Sequence, residues 1–218
     1  MIYGSSTQDK QNAGEEMHGI FRIPNCSVVA QNNHSQQHIQ ITFKAYVDTK
    51  IPQTPNLAKQ YGNIQFFGAL DFDTDEFLTY SLNQFDIPLA DAVADLLDIT
   101  AKQYILVNGS NVTKDESMYS SGSAFASLSP NDRTNALNLL IENQIDFTLL
   151  PEPFQNNPDF IHSTMSNLNR LTYMGYYSEW FGYGSTRLAT PNDRILEFNP
   201  KSWEQIEYPG RSLGYPLL

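Results

Sequence analysis

The strongest constraint on the fold is an apolar face at helical spacing in residues 86–107. Its members recur three and four positions apart, as one side of an amphipathic helix requires. They are Leu89, Val93, Leu96, Leu97, Ala101, Tyr104 and Ile105, with Val107 at the end. Pro88 stands near the first helical position, where the missing backbone N–H costs nothing. The segment therefore predicts a long helix with one side buried.

Capping residues predict two further helices. Ser129 can cap a helix whose first residue is Pro130, and Asn157 can cap one that starts at Pro158. The positions expected to face inward are Ala136, Leu137, Leu140 and Ile141 in the first helix, and Phe160, Ile161, Met165, Leu168 and Leu171 in the second. Both segments carry enough apolar side chains to pack against the 86–107 helix.

The segment before these helices is less regular. Phe43, Tyr46 and Val47 fall at helical spacing up to Pro52, although the alternation of Ile39, Ile41 and Phe43 leaves a strand open for the first half. A further helix is expected after residue 73, with Asp73 or Thr74 as its N-cap.

The sequence thus predicts an all-α single domain of about five or six helices. Residues 1–38 would form an irregular arm, and residues 39–218 the helical domain, including a long irregular tail over 172–218.

Composition limits the function. The net charge is −11, and the 13 Lys and Arg are scattered along the chain, which argues against binding nucleic acid or anionic membranes. A single cysteine excludes an internal disulfide and a cysteine-based metal cluster. We find neither an apolar run long enough to span a membrane nor a leader in the sequence as written. The expected location is cytoplasmic, or exported if a leader has been removed.

Motifs for catalysis or metal binding are incomplete. Asp71, Asp73 and Asp75 resemble the start of a calcium loop, but the required glycine and final glutamate are missing, so helix capping is favoured. His34 and His38 lack the glutamate of zinc peptidases and are interpreted as a surface pair. His162 is expected to be a hydrogen-bonded residue at a helix edge. We assign no catalytic residue, metal or cofactor to this chain.

The segment 175–188 combines aromatic side chains with three glycines and lacks any periodicity. Aromatic rings and arginines dominate protein interfaces. The candidate partner-binding residues are Tyr176, Tyr177, Trp180, Tyr183 and Arg187, together with Trp203 farther along the tail. Composition leaves two interpretations open, because these rings could instead fill grooves between the protein's own helices.

Four separate motifs occur in an order that resembles the gluconate 2-dehydrogenase subunit 3 family, the small subunit of flavoprotein sugar and gluconate dehydrogenases. They are Ala45–Pro52, Phe67–Asp71 with Thr74–Glu76, Phe125–Arg133, and Gly175–Trp180 continuing through Trp203 to Tyr208–Gly210. The similarity extends over about residues 40–215.

This resemblance implies a mostly helical, non-catalytic accessory subunit. Its partner would be a large subunit of the glucose–methanol–choline oxidoreductase type, which carries FAD, and a cytochrome could complete the assembly. The alternatives are a self-associating structural or surface protein and a hydrolase that uses Glu179 or His162.

Overall fold

The computed structural model describes residues 33–114, 122–205 and 207–208. These residues fall within one compact unit, residues 32–218. Seven α-helices are present in them: α1 (Asn33–Lys50), α2 (Ala58–Tyr61), α3 (Thr74–Leu82), α4 (Ala90–Asn108), α5 (Pro130–Ile141), α6 (Pro158–Tyr177) and α7 (Lys201–Gln205). Short 3₁₀ turns connect several of them, and the described part of the chain contains no β-strand. The predicted all-α class is confirmed, with five long helices and two of a single turn.

The core lies where the long helices pack against one another. Helix α1 contacts α3, α4 and α5, while α6 packs against α3. Within α1, the strand alternative for residues 39–43 is wrong, because Ile39, Phe43, Tyr46 and Val47 are buried along one helical face. Helix α1 also begins at Asn33, inside the segment assigned to the arm. Residues 1–32 of that arm lie outside the described residues.

Two helix starts agree with the capping signals. Ser129 Oγ accepts a hydrogen bond from the backbone N–H of Asp132 at 3.3 Å, and Pro130 is the first residue of α5. Asn157 Oδ1 accepts from the N–H of Phe160 at 3.3 Å, and Pro158 begins α6. These bonds satisfy N–H groups that a helix end otherwise leaves without partners.

Several local expectations need correction. Helix α6 continues to Tyr177, so the irregular tail starts after that residue and not at residue 172. Val107, expected on the apolar face of α4, is 76% exposed. Helix α4 begins at Ala90, two residues after Pro88, and Leu89 at its N-cap makes no side-chain capping bond. Ile141, expected inside, is 43% exposed because α5 ends there. The N-cap residue of α3 is Asp73, as expected, but it has a left-handed conformation, and its carboxylate makes no capping hydrogen bond and pairs with Arg187 instead.

Candidate protein-binding surface

Trp180, which follows the end of α6, packs against α3 and attaches the C-terminal tail to that helix. Its side chain is only 2% exposed. Its indole Nε1 donates to the backbone oxygen of Asp73 at 3.1 Å, and its ring meets Phe77 edge-on with 5.4 Å between centroids. The buried ring therefore holds residues 178–183 against the helix that precedes α4.

Tyr176 and Trp203 also lie inside the protein. The hydroxyl of Tyr176 donates to the carbonyl of Phe67 at 3.1 Å, and its ring packs edge-on against Phe72. Trp203 Nε1 donates to the carbonyl of Tyr177 at 2.9 Å, which ties α7 to the end of α6. The rings of Tyr176, Trp180 and Trp203 therefore fill spaces between the tail and the protein's own helices, which is one of the two interpretations that the sequence left open.

The polar members of the candidate set are engaged within the chain. Arg187 Nη1 lies 2.9 Å from Asp73 Oδ2, and its Nη2 lies 2.8 Å from Glu76 Oε2. The hydroxyl of Tyr183 donates to the carboxylate of Glu179. Both side chains thus stabilise the docked tail, and their role in partner binding stays a prediction.

Glycines in the aromatic segment allow close approach within the chain. A Cβ on Gly182 would lie 2.4 Å from the backbone oxygen of Phe198, and Gly184 has a φ of +47°. The backbone N–H of Glu197 donates to the carbonyl of Gly182 at 2.8 Å. The surface that these glycines approach is therefore the returning segment 195–200 of the same tail.

Tyr177 differs from its neighbours because its ring is 47% exposed. It lines an open groove of about 730 Å³ between the α2 region and α7. The other lining residues are Tyr61, Gly62, Asn63, Ile64, Phe67, Lys201, Glu204 and Glu207. Tyr61, which also lines the groove, is 59% exposed. Of the six candidates, only Tyr177 lines this groove, and its other walls were not identified from the sequence.

The three aspartates that resemble the start of a calcium loop lie in three different environments. Asp71 Oδ2 accepts from Gln53 Nε2 at 2.8 Å and from the N–H of Gly68 at 2.7 Å. Asp73 pairs with Arg187, while Asp75 is buried in the first turn of α3. Across the described ranges, no three His, Cys, Asp or Glu side chains form a group that could hold a metal ion.

The two proposed hydrolase residues lie at opposite ends of α6. His162 is near its start and hydrogen-bonds Asn143 Oδ1 through Nε2 at 3.0 Å, as expected for a helix-edge histidine. Glu179 follows the end of the helix. Because the 20 residues of α6 rise about 30 Å, these two groups do not act on one substrate.

The sequence missed a polar network between α1, α4 and the turn 122–128. His38 Nε2 lies 3.0 Å from Asp98 Oδ2. The other carboxylate oxygen, Asp98 Oδ1, accepts from Ser123 Oγ at 2.6 Å and from the N–H of Phe125 at 2.9 Å. The surface interpretation of His38 is therefore wrong. The side chain of His34 lies outside the described part of the chain.

Ionisation strengthens this network. The hydrogen bond with Asp98 raises the pKa of His38 above its ordinary value, against the opposing effect of burial. Burial acts to raise the pKa of Asp98, but hydrogen bonds from His38, Ser123 and backbone amides bring it below its ordinary value. Both groups are therefore charged in mildly acidic solution.

Comparison with known proteins found no matching family model, curated protein or solved structure. Within the described residues, none of the helices has the length and apolar character needed to cross a membrane.

Proposed function

We propose that this chain is a non-catalytic accessory subunit that binds and stabilises a separate FAD-dependent dehydrogenase subunit. The observation that carries the proposal is the groove with Tyr61 and Tyr177 on its walls. Exposed aromatic rings beside a concave surface are typical of the anchors that dominate protein interfaces.

The geometry around Tyr177 favours binding because the ring is held in place beforehand. Its centroid lies 4.8 Å from that of buried Tyr176 in an edge-on arrangement, and its backbone carbonyl is fixed by Trp203. An anchor that is already ordered loses little conformational freedom on association. The internal packing of the tail thus supports a binding role for the residue that remains exposed.

The identity of the partner rests on the sequence motifs. Their resemblance to the small subunits of flavoprotein dehydrogenases implies a large subunit of the glucose–methanol–choline type, with FAD in that partner and a cytochrome as a further possible component. In this proposal the described helices provide a rigid support for the groove, and oxidation takes place in the partner.

The test is affinity capture of the full chain from its native cells, followed by flavin absorbance of the captured material. We expect wild-type protein to retain a flavoprotein and the Tyr61→Ala/Tyr177→Ala variant to retain at least about tenfold less, since a central aromatic anchor contributes about 2 kcal/mol or more. Phe85→Ala is the matched control, because that aromatic is similarly exposed but does not line the groove.

Two results would contradict the proposal. One is equal capture by the wild type and the tyrosine variant. The other is substrate turnover by the purified chain alone, which would make it an enzyme in its own right.

A further inference from the structure

The wall of the groove formed by α7 and the residues after it carries an excess of negative charge. Glu204 and Glu207 both line it and are exposed. In the described residues, neither forms an ion pair with Lys or Arg. Lys201 also lines the groove, but its ammonium nitrogen lies 4.7 Å from the centroid of the Phe67 ring, in a cation–π contact. A cation–π contact leaves the charge of Lys201 in place, so the two carboxylates exceed the one ammonium group and this wall of the groove is negative overall.

The apolar surface of the same groove lies beside these carboxylates. Tyr61 and Ile64 line it from the α2 side, while Phe67 and Tyr177 also contribute rings. A volume of about 730 Å³ is within the range of roughly 300–1,000 Å³ that accommodates sizeable ligands. The groove thus combines a place for apolar side chains with a negative edge.

We propose that the groove binds a basic segment of the partner protein, in which an apolar side chain enters between Tyr61 and Tyr177 and a neighbouring Lys or Arg pairs with Glu204 and Glu207. This inference rests on the proposed function and specifies the chemistry of the partner's segment. It follows from charge complementarity, which orients partners and excludes those of the same sign.

The charge of the whole chain favours such a partner over a second copy. At −11, two identical chains repel each other, whereas a basic segment is attracted before contact. Glu204 and Glu207 add to this attraction within the groove itself, next to its apolar lining residues.

The test uses the full chain with a photo-crosslinking amino acid in place of Tyr61, incubated with lysate of the native cells. Mass spectrometry then identifies the peptide attached at the groove. We expect a peptide from another protein that carries Lys or Arg within a few residues of the attachment point.

Charge reversal provides the second measurement. Glu204→Lys/Glu207→Lys should lower capture of the cross-linked protein about tenfold at low salt, and the loss should shrink at high salt because solvent-exposed charges are screened. Glu142→Lys/Glu152→Lys is the control, since it makes the same change in net charge at exposed positions outside the groove. That variant should remain within about twofold of wild type.

The outcomes separate this inference from the proposed function. An attached peptide without a basic residue, a peptide of this chain itself, or equal capture by the two charge variants overturns the basic-segment proposal. If that partner still contains flavin and still depends on Tyr177, the accessory function stands. If no other protein is cross-linked and Tyr61→Ala/Tyr177→Ala changes nothing, both proposals fall.

Discussion

The buried carboxyl group of Asp75 lowers the free energy of unfolding when it is ionised. It is 3% exposed in the first turn of α3. Burial raises its pKa to about 6, although Lys44 offsets part of this effect. The folded state therefore holds the proton more tightly than the unfolded state does. Its contribution to the free energy of unfolding becomes less favourable as the pH rises from about 4 to about 6.

We expect Asp75→Asn to increase the free energy of unfolding at pH 8 by about 1–3 kcal/mol, because a neutral amide avoids the cost of a buried charge. The gain should disappear below about pH 4, where the carboxyl is protonated in both states. Urea unfolding at pH 4 and pH 8 measures it. Asp159→Asn, at an exposed position in the first turn of α6, serves as the control. A gain that is equal at both pH values would contradict this explanation.

Residues next to one another in the sequence have opposite environments at the end of α6. Tyr176 is buried against Phe72, while Tyr177 is exposed in the groove. Both are tyrosines in an aromatic segment, so composition does not distinguish them. The difference comes from the direction in which each side chain leaves the helix and from α3 packing on one side of it. For this reason, the sequence identified the segment but not its exposed member.

Between elements, the His38–Asp98–Ser123 network joins α1, α4 and the turn that leads into α5. Asp91, Asp95 and Asp98 of α4 all raise the pKa of His38. Ser123 Oγ accepts from Thr42 Oγ1 at 2.9 Å and from the N–H of Ala126 at 3.1 Å. The turn is therefore held by two helices through one carboxylate and one hydroxyl.

The pH dependence of this network follows from the directions of the two pKa shifts. His38, with a raised pKa, contributes stability that is fully present below about pH 6.5 and is lost as the pH rises through its folded value. Asp98, with a lowered pKa, contributes stability that is present above about pH 4 and is lost as the pH falls through its folded value. The network is therefore strongest between about pH 4 and 6.5.

We expect His38→Gln to destabilise the protein by roughly 1 kcal/mol at pH 5.5 and by less at pH 8.5, since glutamine can keep a hydrogen bond but carries no charge. Hydrogen exchange at the amide of Phe125, corrected for its intrinsic pH dependence, reports on the turn directly. In the wild type, the amide of Phe125 should be less protected from exchange at pH 8.5 than at pH 5.5. Unchanged protection across this range would show that ionisation of His38 does not affect the turn.

Among the contacts between and within elements, the sequence predicted those that depend on residues close together in the chain. The starts of α5 and α6 were predicted because Ser129–Pro130 and Asn157–Pro158 act on backbone groups within three residues. The network around His38 was missed because its carboxylate lies 60 positions away. The contact between Trp180 and Asp73 spans 107 positions and carries no local signal.

Across the whole molecule, the tail and the helices should unfold together. Trp180 is buried on α3, and Arg187 pairs with Asp73 and Glu76 at the start of that helix. Trp203 joins α7 to α6. These contacts link residues 178–203 to the helical core through separate points, so loss of the tail would expose rings that now complete the packing of α3 and α6.

Two spectroscopic signals of the unchanged protein can test this expectation. Both tryptophans of the chain lie in the tail, so their fluorescence reports on the tail, whereas circular dichroism reports mainly on the helices that precede it. Tryptophan fluorescence and far-ultraviolet circular dichroism should therefore give the same midpoint in urea, as one cooperative transition requires. Trp180→Ala should lower that midpoint in both signals, at a cost of about 3–5 kcal/mol for a buried aromatic. Trp203→Phe, which leaves Trp180 as the reporter, controls for the choice of probe. A fluorescence transition that precedes loss of helix would instead make the tail an independently released segment, and the groove beside Tyr177 would then open before the core unfolds.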